Sequence, residues 1–270
     1  MRVDISFEER QQIGLEILDE IQRVSSILNI KFYLAYGTLL GAIRHKGYIP
    51  WDDDIDIWMM RDEFELFVQK FNDITSSSFK LLSYHTDENY PFIVTKVVSM
   101  KTHAEEKLMK PIKDLGVWVD VFPIDYLSPN NAANTEKLMK LEHQRWVALY
   151  KQSTLTAKIK LFFYNMIQKD TTWKDSKKKP GAITKEINKL SSCSTPNDIC
   201  RSPASDLSMI VFLASEDFKS QIFVPFEDRT FPIPSGYDRL LKNIYNDYMV
   251  LPSKRKRKID QHLRVAKWKK

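Results

Sequence analysis

The fold is decided by one stretch, GTLLGAIRHKGYIPWDDDIDIWMM (residues 37–60). Three of the chain's seven glycines lie in it, and four aspartates follow one another closely at Asp52, Asp53, Asp54 and Asp56. Crowded carboxylates repel one another, and burial disfavours their charged form. A bound divalent cation offsets both effects. We therefore interpret this stretch first as a metal site.

Side-chain periodicity outlines the elements around this stretch. An early capping-box pattern predicts a first helix that runs to about residue 28. Residues 31–36 predict a buried strand, and a short helix is expected over 39–44. Residues 55–60 predict a second strand and 61–74 an amphipathic helix. Further strands are expected at 79–84, 92–98, 102–105 and 116–122.

The predicted elements divide the chain at about residue 130. Before this point helices and strands alternate, and the last strand is expected to stop at Pro123. After it the pattern predicts helices at 132–150, 155–168, 181–192 and 237–249, a loop at 191–205, and short strands at 209–213 and 221–224. We therefore predict an α+β (mixed α/β) fold, in which a mixed sheet flanked by helices is followed by a mostly helical C-terminal part.

Composition narrows the class of protein. The chain has 270 residues, 43% of them hydrophobic, which allows one large domain or a domain with an appended lobe. Two cysteines are too few for a disulfide framework. The sequence shows neither a signal peptide nor an apolar run of about 20 residues, so we expect a cytoplasmic protein.

The positive charge is concentrated at the C-terminal end. Nine basic residues and one acidic residue lie in 254–270, within a net charge of +6. This basic tail predicts an anionic partner, such as a phosphate-rich substrate, a polyanion or the inner face of a cell membrane. No nucleic-acid-binding module is present in the sequence, so we expect no nucleic-acid partner.

The spacing of the aspartates favours a metal site over a solvated acidic loop. Alternate side chains of a strand share a face, so Asp54 and Asp56 can converge on one ion, and Asp52 joins them if the extended run begins early. Asp53 faces the other way and is expected to cap or to form a salt bridge. Oxygen ligands without cysteine favour Mg²⁺ or Mn²⁺, ions that commonly accompany phosphoryl transfer.

The turn at Gly37 and Thr38 is typical of a phosphate site. Free N–H groups at a helix start favour an anion, and Gly37 lets a phosphate approach closely. Thr38 adds a hydroxyl donor, and Arg44, His45 and Lys46 could neutralise a diphosphate. The alternatives are an ordinary strand-to-helix turn and plain surface charge.

Two charged residues stand in later apolar strands. An isolated charge there is unfavourable unless it pairs or ligates. Asp120 could complete the metal site or act as general base on an acceptor hydroxyl, or it could pair with an arginine. Lys96 is expected to contact donor phosphate or to be an edge-strand charge. Tyr36 is expected to stack or hydrogen-bond near the donor.

These motifs resemble the LicD family of phosphotransferases, which includes the fukutin-related proteins and is similar to the nucleotidyltransferase superfamily. That superfamily has an hG[GS] turn, a Dh[DE]h strand and a later carboxylate. The turn corresponds to Tyr36–Thr38, with Thr in place of Ser, and the strand and the carboxylate match Asp54–Ile57 and Asp120. Three longer strings also resemble the family: GTLLGAIRHKGYIPWDDDID, WVDVFPID and PFEDRTFPIPSGYDRLLKNIYNDYMVLP. The likeness is weak over residues 132–220.

The resemblance implies a nucleotidyltransferase-like catalytic core in residues 1–130, and a helical acceptor-specificity region with the C-terminal block and basic tail in 131–270. It implies Mg²⁺-dependent transfer of phosphocholine, or a similar phospho-alcohol, from a CDP-linked donor to a sugar hydroxyl, with release of CMP. The acceptor would be a glycan or lipid-linked glycan precursor, such as teichoic acid or lipopolysaccharide. Asp54 and Asp56 would hold the metal on the donor diphosphate, and Asp120 would ligate it or deprotonate the acceptor hydroxyl.

Two other functions also fit the sequence. A nucleotidyltransferase would transfer the nucleoside monophosphate and release diphosphate. A non-catalytic protein would use the basic tail to bind an anionic glycan or membrane surface, and it would tolerate Asp56→Asn. The clustered carboxylates argue against the second, because a protein that only binds anions gains nothing from them.

Overall fold

The helices and strands are taken from a computed structural model of the chain. It describes residues 4–106, 109–127, 137–138, 140–141, 143–145, 147–149, 153–155, 159, 178–193, 199–202, 211–254, 257 and 263–269. Five helices are described from end to end: α1 (Phe7–Leu28), α2 (Tyr36–Arg44), α3 (Arg61–Ile74), α4 (Pro180–Ser191) and α5 (Tyr237–Tyr245). A short 3₁₀ helix covers Ser215–Phe218.

Twelve strands lie within the described ranges. The first six are β1 (Tyr33–Leu34), β2 (Asp56–Met60), β3 (Phe79–Leu82), β4 (Thr95–Ser99), β5 (Thr102–Glu106) and β6 (Trp118–Leu127). The last six are β7 (Ser192–Cys193), β8 (Ile199–Ser202), β9 (Val211–Ala214), β10 (Gln221–Phe226), β11 (Arg229–Pro234) and β12 (Leu263–Trp268).

The main sheet has the order β1-β2-β6-β4-β3. Strands β2 and β6 are parallel, and the other pairs along this order are antiparallel. The second half of β6 also pairs with β7 and β8, and β8 pairs with β9. Two separate ladders join β10 to β11 and β5 to β12. The predicted α+β class with a mixed sheet is confirmed.

Helices α1 and α3 cover one face of this sheet. The predicted capping box begins α1, because Ser6 and Glu9 each bond the other's backbone N–H. Alternation along the strands turns Ile57, Val97 and Val121 toward these helices, where they are buried in the main core. The neighbouring positions in each strand therefore face away from α1 and α3, toward the candidate site.

Pro123 does not stop β6, contrary to the sequence-based expectation. The N–H of Asp120 donates to Ile55 on the β2 side, so alternation turns position 123 toward the β4 side. There the pairing with β4 ends at Val121 and the pairing with β8 begins at Asp125. The N–H that proline lacks would have no ladder partner at this point, and the strand continues through it.

Two boundaries near the aspartates also differ from the prediction. The first strand is shorter than residues 31–36, because Tyr36 already begins α2 with a positive φ of 41°. Gly37 and Thr38 therefore lie inside the first helical turn. The second strand begins at Asp56, so Asp54 precedes the strand and does not share its pleat.

The C-terminal part contains more strand than the sequence predicts. The expected loop at 191–205 includes β7 and β8, and the basic tail includes β12. Helix α4 confirms the helix expected at 181–192, and the described residues between 137 and 149 are helical. Most of the helix expected at 155–168 lies outside the described residues. The division of the chain at residue 130 stays a prediction.

Within the described ranges, no helix combines the length and the apolar character that crossing a membrane requires.

A buried ion pair attaches α1 to the aspartate stretch. The Arg10 guanidinium donates to Asp53 at 2.7 Å, and the two side chains are only 7% and 4% exposed.

We expect Arg10→Met to lower the free energy of unfolding by about 3 kcal/mol, since it removes the arginine that pairs with a buried carboxylate. Urea titration followed by circular dichroism measures this. Lys242→Met is the matched control, because the side chains of Lys242 and its partner Asp238 are 64% and 52% exposed and such exposed pairs contribute little to the free energy of unfolding. Equal losses in the two variants would contradict the role of Arg10.

Candidate active site

Three adjacent strands place three charged residues in one row. Asp56 of β2 stands opposite Asp120 of β6 in the parallel ladder, and Asp120 stands opposite Lys96 of β4 in the antiparallel one. All three alternate with core residues, so their side chains lie on the face away from α1 and α3. The register of the sheet thus brings together residues that are far apart in the sequence.

Both oxygens of Asp120 are engaged. Lys96 Nζ lies 2.7 Å from Oδ1, and Trp118 Nε1 donates to Oδ2 at 2.9 Å. Lys96 is nearly buried and lies within cation–π distance of Trp118 and Phe92, at 4.1 and 4.7 Å from the ring centroids. Because β4 lies between β6 and β3, the edge-strand interpretation of Lys96 is wrong. The partner of Asp120 is this lysine rather than an arginine.

The aspartates before and within β2 form one electrostatic group. Burial and then Asp54 raise the pKa of Asp52 to about 8. Burial, followed by the carboxylates of Asp54 and Asp120, raises the pKa of Asp56 well above its ordinary value, although Lys96 acts in the opposite direction. The group therefore holds more negative charge than its surroundings stabilise.

Asp53 differs from the other aspartates of this group in its partner. Its carboxylate is buried against Arg10, as described above, on the side of α1. This confirms that Asp53 forms a salt bridge and faces away from its neighbours. Asp125, the second acid of the WVDVFPID string, is fully buried and accepts two bonds from Arg61, at 2.6 and 2.8 Å. Asp125 thus fixes α3 to the sheet, and Asp53 fixes α1 to the segment that precedes β2.

The start of α2 packs closely against the aspartates. Thr38 Oγ1 accepts the N–H of Asp56 at 2.9 Å, which joins the helix to β2. A Cβ at Gly37 would lie 2.7 Å from Asp52 Oδ2, so a side chain there would displace this carboxylate. Tyr36 packs edge-on against Trp58 and Phe122, with ring centroids 4.8 and 5.2 Å apart. The glycine and threonine are therefore needed beside the acidic group.

Comparison with known proteins identifies this part of the chain. Residues 29–155 match the family model described as LicD/FKTN/FKRP, nucleotidyltransferase domain. The chain carries a LicD-family domain. The matched segment contains Asp52, Asp54, Asp56, Lys96 and Asp120, and the resemblance found in the sequence is confirmed.

Relatives of this chain differ in how much of it they cover. The chain is 29% identical to the lipopolysaccharide cholinephosphotransferase LicD of Haemophilus influenzae, over 97% of its own length and 98% of the relative's. It is 33% identical over 87 residues to an uncharacterised protein of Rickettsia typhi, covering 32% of this chain and 26% of that protein. A protein of Rickettsia prowazekii is 52% identical over 42 residues, which are 16% of this chain and 15% of that protein.

Arg44 and His45, at the end of α2, differ in the charge that they carry at neutral pH. Arg44 ends α2 and donates to the carbonyl of Tyr248 at 2.7 Å. Burial, then the charge of Arg44, lowers the pKa of His45, so this imidazole carries little positive charge at neutral pH. Of this pair, only Arg44 supplies a lasting charge. Whether Arg44 and His45 contact a donor stays a prediction.

Sequence reasoning assigned no role to Tyr245, at the end of α5. Its ring is 36% exposed, and burial followed by the carboxylates of Asp56 and Asp52 raises the pKa of its hydroxyl. The hydroxyl therefore lies within electrostatic range of the acidic group. The signal was present in the sequence, because Tyr245 belongs to the C-terminal string that resembles the family.

The donor set suits a hard cation, but only with help from other ligands. In the described ranges, no three His, Cys, Asp or Glu side chains are already grouped closely enough to hold an ion. Mg²⁺ characteristically binds through one or two carboxylates and completes its shell with water and substrate phosphates. Asp52, Asp54 and Asp56 are all oxygen donors, and a cation would relieve the repulsion that raises the pKa values of Asp52 and Asp56.

The raised pKa of Asp52 predicts a pH-dependent stability. An unfolded aspartate titrates near pH 4, whereas Asp52 titrates at about 8 in the folded protein. The folded state therefore binds more protons in this window, and the free energy of unfolding falls as pH rises through it. We expect Asp52→Asn to flatten this fall in EDTA-treated protein, as measured by the melting temperature across that pH window.

Asp73→Asn is the matched control, because Asp73 is exposed on α3. It should leave the pH dependence of the melting temperature as in the original protein. An unchanged slope in Asp52→Asn would show that Asp52 is not protonated in the folded, metal-free protein.

Proposed function

We propose that this protein is a phosphotransferase that moves phosphocholine, or a similar phospho-alcohol, from a CDP-linked donor to a sugar hydroxyl of a cell-surface glycan precursor. The observation that carries the proposal is the row of Asp56, Asp120 and Lys96 across three strands of a LicD-family domain. The full-length similarity to a lipopolysaccharide cholinephosphotransferase supports the cargo and the class of acceptor. Teichoic acid precursors have the same kind of hydroxyl and remain within the proposal.

A divalent cation, Mg²⁺ or Mn²⁺, is proposed as the cofactor. Asp54 and Asp56 would hold it together with the donor diphosphate, and Asp52 lies close enough to Asp54 to share a hydrogen bond. When bound, the ion would neutralise the diphosphate and polarise the phosphorus–oxygen bond that breaks. The first turn of α2, with Gly37 and Thr38, lies beside these carboxylates and would offer its N–H groups to a phosphate.

Asp120 is proposed to act in the transfer step. The acceptor oxygen forms a bond to the phosphorus of the phosphocholine group, the phosphoanhydride bond to CMP breaks, and the hydroxyl proton passes to a base. Asp120 is either that base or a further metal ligand. Lys96 and Trp118 hold its two oxygens in a fixed orientation. On entry of substrate, Lys96 would exchange Asp120 for a donor phosphate oxygen.

The reaction would take place in the cytoplasm, where nucleotide-linked donors are available, at or near the inner face of the membrane. The basic tail supports membrane proximity through its charge. The acceptor in this setting would be a glycan or a lipid-linked glycan.

Removal of the acidic row tests the activity. We expect Asp54→Ala and Asp120→Asn each to lower kcat with CDP-choline by a factor of about 100 or more, because each removes a charge needed in the transition state. Release of CMP is followed by chromatography, and circular dichroism verifies the fold. Asp62→Asn on α3 is the control and should retain activity. A folded Asp54→Ala variant that turns over the donor at the original rate would refute the assignment.

One alternative activity is favoured by a specific observation, because the matching family model is described as a nucleotidyltransferase domain. Such an enzyme would transfer the nucleoside monophosphate and release diphosphate. Donor labelled separately in the cytidine and the choline distinguishes the two. Choline label on the acceptor with free CMP supports phosphocholine transfer, and cytidine label on the acceptor supports the alternative. Binding without turnover would support the non-catalytic function.

Donor binding gives a test that needs no acceptor. A ligand that binds only the folded state raises the melting temperature. We expect CDP-choline with Mg²⁺ to raise it more than either alone, because the ion joins the carboxylates to the diphosphate. Parallel measurements with CDP-glycerol and CDP-ribitol show which phospho-alcohol is preferred. Asp56→Asn should abolish the additional shift that donor and Mg²⁺ produce together. Equal shifts with and without Mg²⁺ would contradict a shared metal.

A further inference from the structure

An exposed apolar turn follows α5. Met249, Val250 and Leu251 are consecutive in sequence and are exposed by 56%, 64% and 44%. Single exposed apolar residues are common on protein surfaces, but three in succession mark a contact with a partner more often. These three residues are called the apolar tip.

The backbone around the apolar tip is firmly held. The Val250 N–H donates to Asp247 O at 3.2 Å, which closes a tight turn. The preceding residue, Tyr248, is buried, and its hydroxyl donates to Asp238 at 2.8 Å. Its carbonyl accepts a bond from Arg44. The apolar side chains are therefore presented by a fixed turn.

Positive charge lies directly beside the apolar tip. The sequence continues with five successive basic residues at 254–258. Lys254 is exposed, and the Arg257 guanidinium donates to Pro252 O at 2.7 Å while lying 5.6 Å from the centre of the Trp51 ring. Apolar side chains flanked by lysine and arginine suit an anionic bilayer, because the first enter the acyl boundary and the second attract the headgroups.

The apolar tip borders the candidate site. Tyr245, at the end of α5 and four residues before Met249, lies within electrostatic range of Asp56 and Asp52. Trp51, under Arg257, immediately precedes Asp52. A surface that contacted the apolar tip would therefore lie close to the acidic group.

We propose that the apolar tip, with Lys254 and Arg257 beside it, docks this protein on an anionic lipid bilayer, with the candidate active site facing the membrane surface. A second copy of this chain is a poorer occupant, because a symmetric contact would bring two basic segments together. Presentation of a lipid-linked acceptor by this surface rests on the proposed function, whereas docking on the bilayer does not.

Vesicle flotation of the full chain tests the proposal. The probes are vesicles of phosphatidylcholine alone and of phosphatidylcholine mixed with phosphatidylglycerol. We expect binding to the mixed vesicles, and a partition coefficient about tenfold or more lower for Val250→Asp, since a carboxylate opposes entry into the interface. Lys254→Glu should weaken binding as well, and added salt should weaken binding of the original protein.

Matched controls test whether vesicle binding depends on this surface rather than on the overall charge and hydrophobicity of the protein. Ile27 on α1 is 57% exposed, so Ile27→Asp also replaces an exposed aliphatic side chain by a carboxylate, but away from the apolar tip. Lys219 is exposed as well, so Lys219→Glu is the corresponding control for the charge reversal at Lys254. Both should bind vesicles as the original chain does. Equal binding by Val250→Asp, or no binding by the original chain, would overturn the proposal. So would a dimer that Val250→Asp dissociates in size-exclusion chromatography while vesicle binding persists.

Activity on a water-soluble acceptor distinguishes this proposal from the proposed function. Val250→Asp should turn over CDP-choline with that acceptor at the original rate. Failure of the original protein to transfer phosphocholine would refute the function and leave the docking result standing.

Discussion

The arrangement of the site depends on the register between β2, β6 and β4. This register sets Asp56, Asp120 and Lys96 side by side, and a slip of one residue in any strand would turn its charged side chain into the core. Contacts on both faces of the sheet favour this register. On one face Ile57, Val97 and Val121 are buried, and on the other the lysine compensates only part of the acidic charge. Packing on one side of the sheet thus determines chemistry on the other.

The run of three aspartates shows how one short segment serves two purposes. Asp53 is buried against Arg10 and fixes α1, whereas burial and then the neighbouring Asp54 raise the pKa of Asp52 at the candidate site. A structural acid and the acids of the candidate site can therefore be direct neighbours in the sequence. A metal ion or a protonation event would change the charge on one side without affecting the pair that holds the helix.

Much of the fold and the site followed from the sequence, for identifiable reasons. The helix α1 and its capping box have strong local signals, and the aspartate stretch carries a specific family pattern. Lys96 was found, but its bond to Asp120 was not, because strand pairing is a long-range property. Pro123 misled the prediction, since only the absence of a ladder partner at that position permits a proline within β6. Tyr245 was missed because α5 meets the acidic group only through tertiary packing.

The pairing of β12 with β5 bears on how the chain folds during synthesis. Residues 263–268 complete a ladder with 102–106, and Ile5 donates its N–H to Ala266 in the same strand. While the ribosome is still making the later part of the chain, β5 has an open edge, and open edges promote aggregation. A truncation made to remove the basic residues would leave that edge open permanently. Charge reversal at individual positions therefore separates electrostatic effects from folding effects more cleanly than deletion does.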